Sequence, residues 1–354
     1  MLEITQLDPI TSVDGPDATL HRGVLAVNRA VVMADIGDEI FVMQPHSLIM
    51  QLKPQPDWNN AVAAAIIDDQ VVGYVSIWAP MCDNLTLCDL NVKVHPDWRR
   101  RGIGSQLLAW GQEQTAALGR TTQLSWVSTR PPLADAPVVV APTGDTFPAD
   151  VPGWLFATHH GFTLEQVARD NMGRLPIENL ARLHAEAQVH TGGYRLHTWL
   201  AEIPEEWLDG YAPLRARVSI DDPSAGVEVE EQVWDAARVR RDWELDRSIG
   251  LHHLALAAQH IESGELVGFT EVYWHDEQPN CLHQGYTFAR ADHRGHRLGM
   301  WLKTSAAYEL ATINPLADRA LTGNAGENSY MLNINNALGY QVASLGAVIQ
   351  NKTA

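Results

Sequence analysis

The sequence predicts an α/β (α+β) chain made of two copies of one domain, and three observations carry that reading. Its 354 residues are long for one compact domain and comfortable for two. Strand-like alternation and helix-like periodicity follow one another along the whole chain. One succession of elements also occurs twice, at an offset near half the chain length, as an internal duplication requires.

In the first half, Leu2–Leu7 alternates as a strand, and a helix is expected from about Ala18 to Met33. Ala61–Ile67 and Val71–Trp78 read as two strands joined by the turn Asp68-Asp69-Gln70. A third strand, Leu85–Val94, runs into the loop His95–Gly104, after which Ile103, Leu107, Leu108 and Gly111 share one helical face. The second half repeats this order. Tyr194–Leu200 is a strand and Pro204 opens a helix. Ala255–Ala257 and Leu266–Trp274 flank the turn Ser263-Gly264-Glu265, and Leu282–Ala289 leads into Asp292–Gly299. Leu298, Leu302, Ala306 and Leu310 then stripe a helix. Placing Gly104 on Gly299 sets Arg99 on Arg294, Cys88 on His283, and Val72-Gly73 on Val267-Gly268 without a gap.

These matches divide the chain into a first domain over 1–175, a linker helix within 176–193 and a second domain over 194–354. Residues 130–153, rich in Pro and Ala and without a clear period, are expected either as a disordered loop or as a lid.

Composition limits the partners. The net charge of −18, from 25 Lys and Arg against 43 Asp and Glu, repels phosphate backbones and anionic membranes, so neither nucleic acid nor membrane is expected. Any polyphosphate must meet a local basic pocket. Three cysteines without a CxxC pair, an N-terminus without a signal-peptide pattern and no membrane-length apolar run point to a reduced, cytoplasmic protein.

The chemistry is expected at the Arg/Gly loops. A strand that turns through glycine into a helix presents unpaired backbone N–H groups and the positive end of the helix dipole to one spot, a pyrophosphate cradle. In Arg99-x-x-Gly102-x-Gly104 the glycines let the backbone approach phosphate, and Arg99, Arg100 and Arg101 add charge.

With this loop behind a Val-x-Val strand and ahead of an amphipathic helix, the sequence resembles the GNAT superfamily of acyl-CoA N-acetyltransferases. The resemblance covers both halves. It implies two tandem GNAT domains, each a mixed, mostly antiparallel sheet flanked by helices, with acetyl-CoA as acyl donor. It further implies that Val92 and Val94 pair with the pantetheine arm, and that Arg99, Arg100, Arg101, Gly102, Ile103, Gly104 and Ser105 hold the pyrophosphate. The second-copy counterparts are Thr287, Phe288 and Ala289, followed by Arg294, Gly295, His296, Arg297, Leu298, Gly299 and Met300. There Arg297 replaces the first glycine, where its side chain either fills the phosphate site or clasps the phosphate. Asn324 and Asn328 lie where the family often sets an amide against pantetheine.

Direct transfer also needs a base for the amine and an acid for the thiolate. The tyrosine that many relatives use as acid is replaced by Ala157 and Asn335, leaving Tyr330 as the nearest substitute. His283, opposite Cys88 and Asp89 of the first copy, and Glu271 on the neighbouring strand are the candidate bases. The acidic run Asp221, Asp222, Glu228, Glu230 and Glu231 suits a small cationic amine such as an aminoglycoside, a polyamine or a basic antibiotic, unless it is simply a solvated face. A protein N-acetyltransferase and a catalytically silent acyl-CoA-binding protein are the alternatives. The state expected is monomer or homodimer. His159-His160 and His293-x-x-His296 lack further ligands at metal spacing, so no metal is expected.

Overall fold

The computed structural model describes residues 1–132 and 135–352. The chain forms two compact units. Unit 1 comprises Met1–Ala168, Ala225–Glu228 and Ser344–Ala354, and unit 2 comprises Arg169–Ser224 and Val229–Ala343.

Unit 1 opens with β1 (Glu3–Gln6), α1 (Thr19–Asp35) and α2 (Pro45–Leu52). Next come β2 (Trp58–Ile67), β3 (Gln70–Pro80), β4 (Leu87–Val94), α3 (Ile103–Ala117) and β5 (Thr122–Thr129). A short ribbon follows, β6 (Val138–Val140) with β7 (Thr146–Pro148), and then α4 (Pro152–His159). The strand β8 (Thr163–Arg174) passes from unit 1 into unit 2.

Unit 2 holds α5 (Leu180–Gln188), β9 (Tyr194–Leu200), α6 (Glu205–Asp221) and α7 (Ala236–Ser248). It continues with β10 (Leu251–His260), β11 (Leu266–His275), β12 (Cys281–Ala289), α8 (Leu298–Ile313), β13 (Arg319–Ala325) and α9 (Ser329–Ala337). The last strand, β14 (Gln341–Lys352), returns the chain to unit 1.

The strand–hairpin–strand–loop–helix order expected from sequence is present in both units. In unit 1, β1 to β4 are antiparallel neighbours, and β5 lies parallel to β4. In unit 2, β9 to β12 are antiparallel and β13 is parallel to β12. The hairpin glycines shared by the copies have one packing reason. A Cβ on Gly73 would stand 2.9 Å from the Lys93 carbonyl oxygen, and one on Gly268 2.7 Å from that of Phe288. Neither backbone could keep its neighbour at that distance.

The sheet of unit 1 is buried on both faces. Ala63, Ala65, Val72, Val75 and Leu90 pack against α3 through Ile103 and Leu107. On the opposite face, Val62, Ala64 and Tyr74 pack against α1 and α2 through Val27, Val31 and Leu48. Alternation along the strands produces the two faces.

Two parts of the layout differ from the sequence reading. Residues 130–153 are neither a structureless loop nor a free lid, because the β6–β7 ribbon anchors them: Phe147 is fully buried and Ala141 joins the unit-1 core. Leu133 and Ala134 of that stretch lie outside the described residues. The domain limits also do not follow single cuts at 175 and 194. The helix expected within 176–193 is α5, whose Leu183 and Ala187 enter the unit-2 core. The closing residues 344–354 belong to unit 1, where β14 pairs antiparallel with β5 from Leu345↔Thr129 to Lys352↔Thr122. Leu345, Ala347 and Ile349 point by alternation into the unit-1 core.

Among the described residues, no helix is long and apolar enough to cross a membrane.

Candidate functional site

In unit 1, β4 and β5 pair only over Leu87–Asp89 with Thr122–Leu124. Beyond Asp89 the strands part, and the Asn91 carboxamide oxygen bridges the start of the gap. It accepts from Ser125 Oγ at 3.2 Å and from the Trp126 N–H at 3.0 Å. A cavity of about 640 Å³ opens there, lined by Val92, Val94, the loop at 99–105 and Phe156 of α4. Its size and largely apolar walls suit a small-molecule or cofactor site.

The loop at its end has the conformation an anion cradle needs. Arg100 and Gly102 are both left-handed, with φ of 63° and 77°. No atom lies within 4 Å of where a Cβ on Gly102 would stand, so the approach to the backbone is open. The N–H groups of the first turn of α3, at Ile103, Gly104 and Ser105, have no intrahelical acceptor and point with the helix dipole. Gly104 is closely covered, since a Cβ there would meet Phe156 at 3.0 Å. Ser105 Oγ lies 3.0 Å from His160 Nε2.

The arginines divide. Arg100 is exposed at the cavity. Arg101 turns back over the Trp98 ring, 4.6 Å from its centroid, and donates to the Asp97 carbonyl. Arg99 makes a two-pronged ion pair with Asp35, at 2.9 and 2.8 Å. Asp35 ends α1, and its carbonyl also accepts from the Arg130 N–H across the gap. Asp35 therefore ties the outer ends of β4 and β5 together.

Asp89, on the last paired row, is half-buried, and burial pushes its carboxyl up to about 7. A carboxyl raised that far is matched to proton exchange near neutral pH. Lys93, two rows further out, is shifted down by burial, an effect that Asp35 opposes and Arg99 reinforces.

The corresponding loop of unit 2 is differently held. Gly295 and Arg297 are the left-handed residues, with φ of 88° and 55°. Arg294 donates to Asp221 at 3.0 Å, and Arg297 lies 3.7 Å from Glu186. His296 is exposed beside the Tyr194 ring, and Leu298 is buried in the core. Gly299 abuts Ile334, with Tyr330 4.0 Å from its Cβ position. Thr287 Oγ1 bonds Thr270 Oγ1 at 2.7 Å, Phe288 packs against Phe269, and Ala289 and Met300 flank the core. Asn324 accepts from Asn335, which accepts from the buried Lys303 at 2.8 Å. Asn328 caps α9 and donates to Asp222. Burial pushes the Lys303 amine down to about 7.

Among the described residues, the three candidate catalytic side chains of unit 2 are held in separate surroundings. Glu271 is sealed from solvent and accepts from Tyr211 Oη at 2.6 Å, from Tyr273 Oη at 2.9 Å and from Arg215. Burial acts to raise its carboxyl, but Arg215 and His253 outweigh it and hold Glu271 well below the usual range. Such a carboxylate is structural rather than a free base. His283 is exposed, across from Tyr273 on β11, and Tyr330 is 56% exposed.

Sequence reasoning passed over Asp89 as a base, naming it only as a counterpart of the second copy, and did not mark Asp35 at all. The signal for Asp89 was present: it alternates with the buried Cys88 and Leu90, so it occupies the other face of β4.

Residues 58–134 match the family "Acetyltransferase (GNAT) domain". Among solved structures the chain is similar to a tandem GNAT protein from the clavulanic acid biosynthesis pathway. Identity is 22%, coverage is 99% of this chain and 98% of that one, and the TM-score is 0.75. A GCN5-related N-acetyltransferase from Sphaerobacter thermophilus matches at 14% identity over 99% and 95% of the two chains, with a TM-score of 0.59. A putative acetyltransferase from Pyrococcus horikoshii matches at 13% over 100% and 90%, with a TM-score of 0.53. No curated protein sequence matches the chain.

Proposed function

We propose that this chain, an N-acetyltransferase of the GNAT superfamily with two copies of the fold in tandem, carries out its chemistry in unit 1 and uses unit 2 as a scaffold. The observation behind this assignment is the unit-1 cavity, whose walls run from Val92 and Val94 to the open backbone at Gly102.

Acetyl-CoA supplies the activated acyl thioester. The first-turn N–H groups of α3 and the Arg100 guanidinium receive its pyrophosphate, and the edge of β4 beyond Asp89 receives the pantetheine arm. From Val94 back to Asp89 is five residues, about 17 Å of strand, comparable to an extended pantetheine arm. The thioester then lies near Asp89. Asp89 takes one proton from the substrate ammonium, the freed nitrogen forms the new N–C bond, and the C–S bond breaks. The second nitrogen proton leaves with the thiolate, which becomes a thiol. No tyrosine acid is needed in this scheme, in keeping with the buried Ala157 at that position.

The same Ala157 also favours a second reading, an acyl-CoA-binding protein without turnover. Free-thiol release with acetyl-CoA over a panel of amines separates the two. Loss of release in Gly102→Val with retention in Arg294→Glu is the expected result. Loss in Arg294→Glu alone moves the chemistry to unit 2, and acetyl-CoA binding without release on any amine supports the silent reading.

A further inference from the structure

Strand register sorts one face of the unit-1 sheet into two zones. The row Tyr74–Ala64 lies under α1 and α2, in the cluster with Val27, Val31 and Leu48. Two rows away the same face carries Asn60, Trp78 and Asp89 side by side on β2, β3 and β4. Directly opposed residues in antiparallel strands point to the same side, so these three side chains form one band across the sheet. Trp58, on the next row, packs edge-on to Trp78 with ring centroids 5.5 Å apart.

Two features of this band call for a ligand. Both polar atoms of the Asn60 carboxamide are shielded from solvent and have no hydrogen-bond partner among the described residues. Native proteins leave few such atoms unmet, because each loses its hydration without a bond in return. At the other end, burial alone raises the Asp89 carboxyl, with no charged or hydrogen-bonding partner among the described residues to hold it ionised. A cation would fill that role.

The band is also short of charge for a polycation. Asp89 is its one ionisable side chain. The acidic run that suggested a polyamine or aminoglycoside is engaged elsewhere: Asp221 pairs with Arg217 and Arg294, and Glu228 with Lys352.

We propose that Asn60, Trp78 and Asp89, with Trp58 beside them, form the acceptor subsite, and that the acceptor is a monocationic primary amine on a flat aromatic body with an amide-like group at its far end. The proposal rests on unit 1 being the transferring copy. The ammonium meets Asp89, the ring lies on the Trp78 indole, and the distal group gives Asn60 the donor and acceptor it lacks. Two strand spacings separate Asn60 from Asp89, about 10 Å, which sets the length of the molecule.

The test compares 4-(2-aminoethyl)benzamide, tryptamine, spermidine and kanamycin as acceptors in thiol release, with acetyl-CoA affinity measured separately by calorimetry. Expected is a kcat/KM for the benzamide about tenfold or more above the two polycations, the equivalent of one good aromatic contact. Trp78→Ala should raise KM for the benzamide about tenfold while acetyl-CoA affinity stays unchanged. Asn60→Ala should erase the preference for the benzamide over tryptamine. Trp78→Phe, which keeps a ring, should retain most activity and shows that loss in Trp78→Ala is not misfolding. Preference for kanamycin or spermidine, or indifference to Trp78→Ala, overturns the proposal. Failure of the wild-type protein to bind acetyl-CoA overturns the parent assignment instead.

Discussion

The two Arg/Gly loops use the same backbone with the residues exchanged. Each places two left-handed residues before its helix. Unit 1 has arginine first and glycine second, Arg100 and Gly102, whereas unit 2 has Gly295 and then Arg297. The second position adjoins the helix N-terminus, so the residue there decides whether the anion site is open. Gly102 leaves that approach clear, while Arg297 puts a side chain at the helix entrance and bears the cost of a left-handed non-glycine residue. The acidic residues on the neighbouring strands differ in the same sense. Unit 1 holds at Asp89 a carboxyl that burial raises to about 7 and that has no side-chain partner among the described residues, and unit 2 saturates its buried carboxylate, Glu271, with three donors. A duplicated fold can thus keep its geometry while acidic residues at different strand positions, Asp89 on β4 and Glu271 on β11, meet opposite environments.

The largest effect that sharpens this contrast is expected at Asp89. Asp89→Asn should lower kcat by about 10²–10⁴, the usual contribution of a positioned base, with acetyl-CoA affinity unchanged in calorimetry. In the wild type, kcat/KM should rise with pH to a plateau above about 7, as the carboxyl ionises. The stability sign is opposite. A raised carboxyl stabilises the fold below its unfolded value and loses that contribution as pH rises through about 7, so Asp89→Asn should melt higher than wild type at pH 8. An inactive variant that is also less stable would count against Asp89 as a functional group.

Next in size is Glu271→Gln, which leaves Arg215 buried without its closest counter-charge. A loss of about 3–5 kcal/mol is expected in denaturant titration followed by unit-2 tryptophans. If it instead abolishes thiol release in a protein that melts normally, the division between copies is wrong. Unit 2 should also show a stability maximum between pH 4.5 and 6.5. The depressed Glu271 contributes above 4.5, and that contribution disappears as pH falls through its folded value. Burial lowers His253, but its bond to Asp246 and the Glu271 carboxylate 3.7 Å away outweigh it and raise the imidazole. Its contribution is complete below 6.5 and is lost as pH rises through the raised value. His253→Gln should flatten the alkaline side of a melting-temperature profile.

Exchanging the loop residues gives the smaller effects. Gly102→Arg should weaken acetyl-CoA binding about tenfold, the penalty of a side chain at the helix entrance. Arg297→Gly should leave turnover unchanged and stabilise the chain by about 1 kcal/mol through relief of the left-handed arginine. Tighter acetyl-CoA binding with a second stoichiometric site in Arg297→Gly would show that this residue alone closes unit 2.

Much of the fold was legible because it rests on local signals. Alternation located β2, β3 and β4, and the Gly102 and Gly295 turns marked where strand gives way to helix. The duplication followed from their order. Of the candidate site, sequence marked the loop at 99–105, where backbone conformation rather than a distant side chain shapes the cavity wall. Asp89 and Glu271 could not be told apart in sequence, because both are acidic residues on strands beside the loop. What separates them is Arg215, which reaches Glu271 from α6, 56 positions away in the chain. The anchoring of 130–153 by Phe147 and the placement of β14 likewise depend on partners distant in sequence.

The position of β14 has a consequence for biosynthesis. Unit 1 carries the proposed chemistry and is built mainly from residues 1–168, yet its core includes Leu345, Ala347 and Ile349, and Ile349 lines the candidate cavity. A ribosome that has released the first 168 residues has therefore made an N-terminal unit with the β14 edge of β5 unpaired. The proposed acetyl-CoA cavity gains its last wall only once β14 (Gln341–Lys352) has been made. A chain cut before β14 loses a wall of the cavity whose other walls lie between Val31 and Phe162, so removing that strand should weaken acetyl-CoA binding even with every loop residue from 99 to 105 in place.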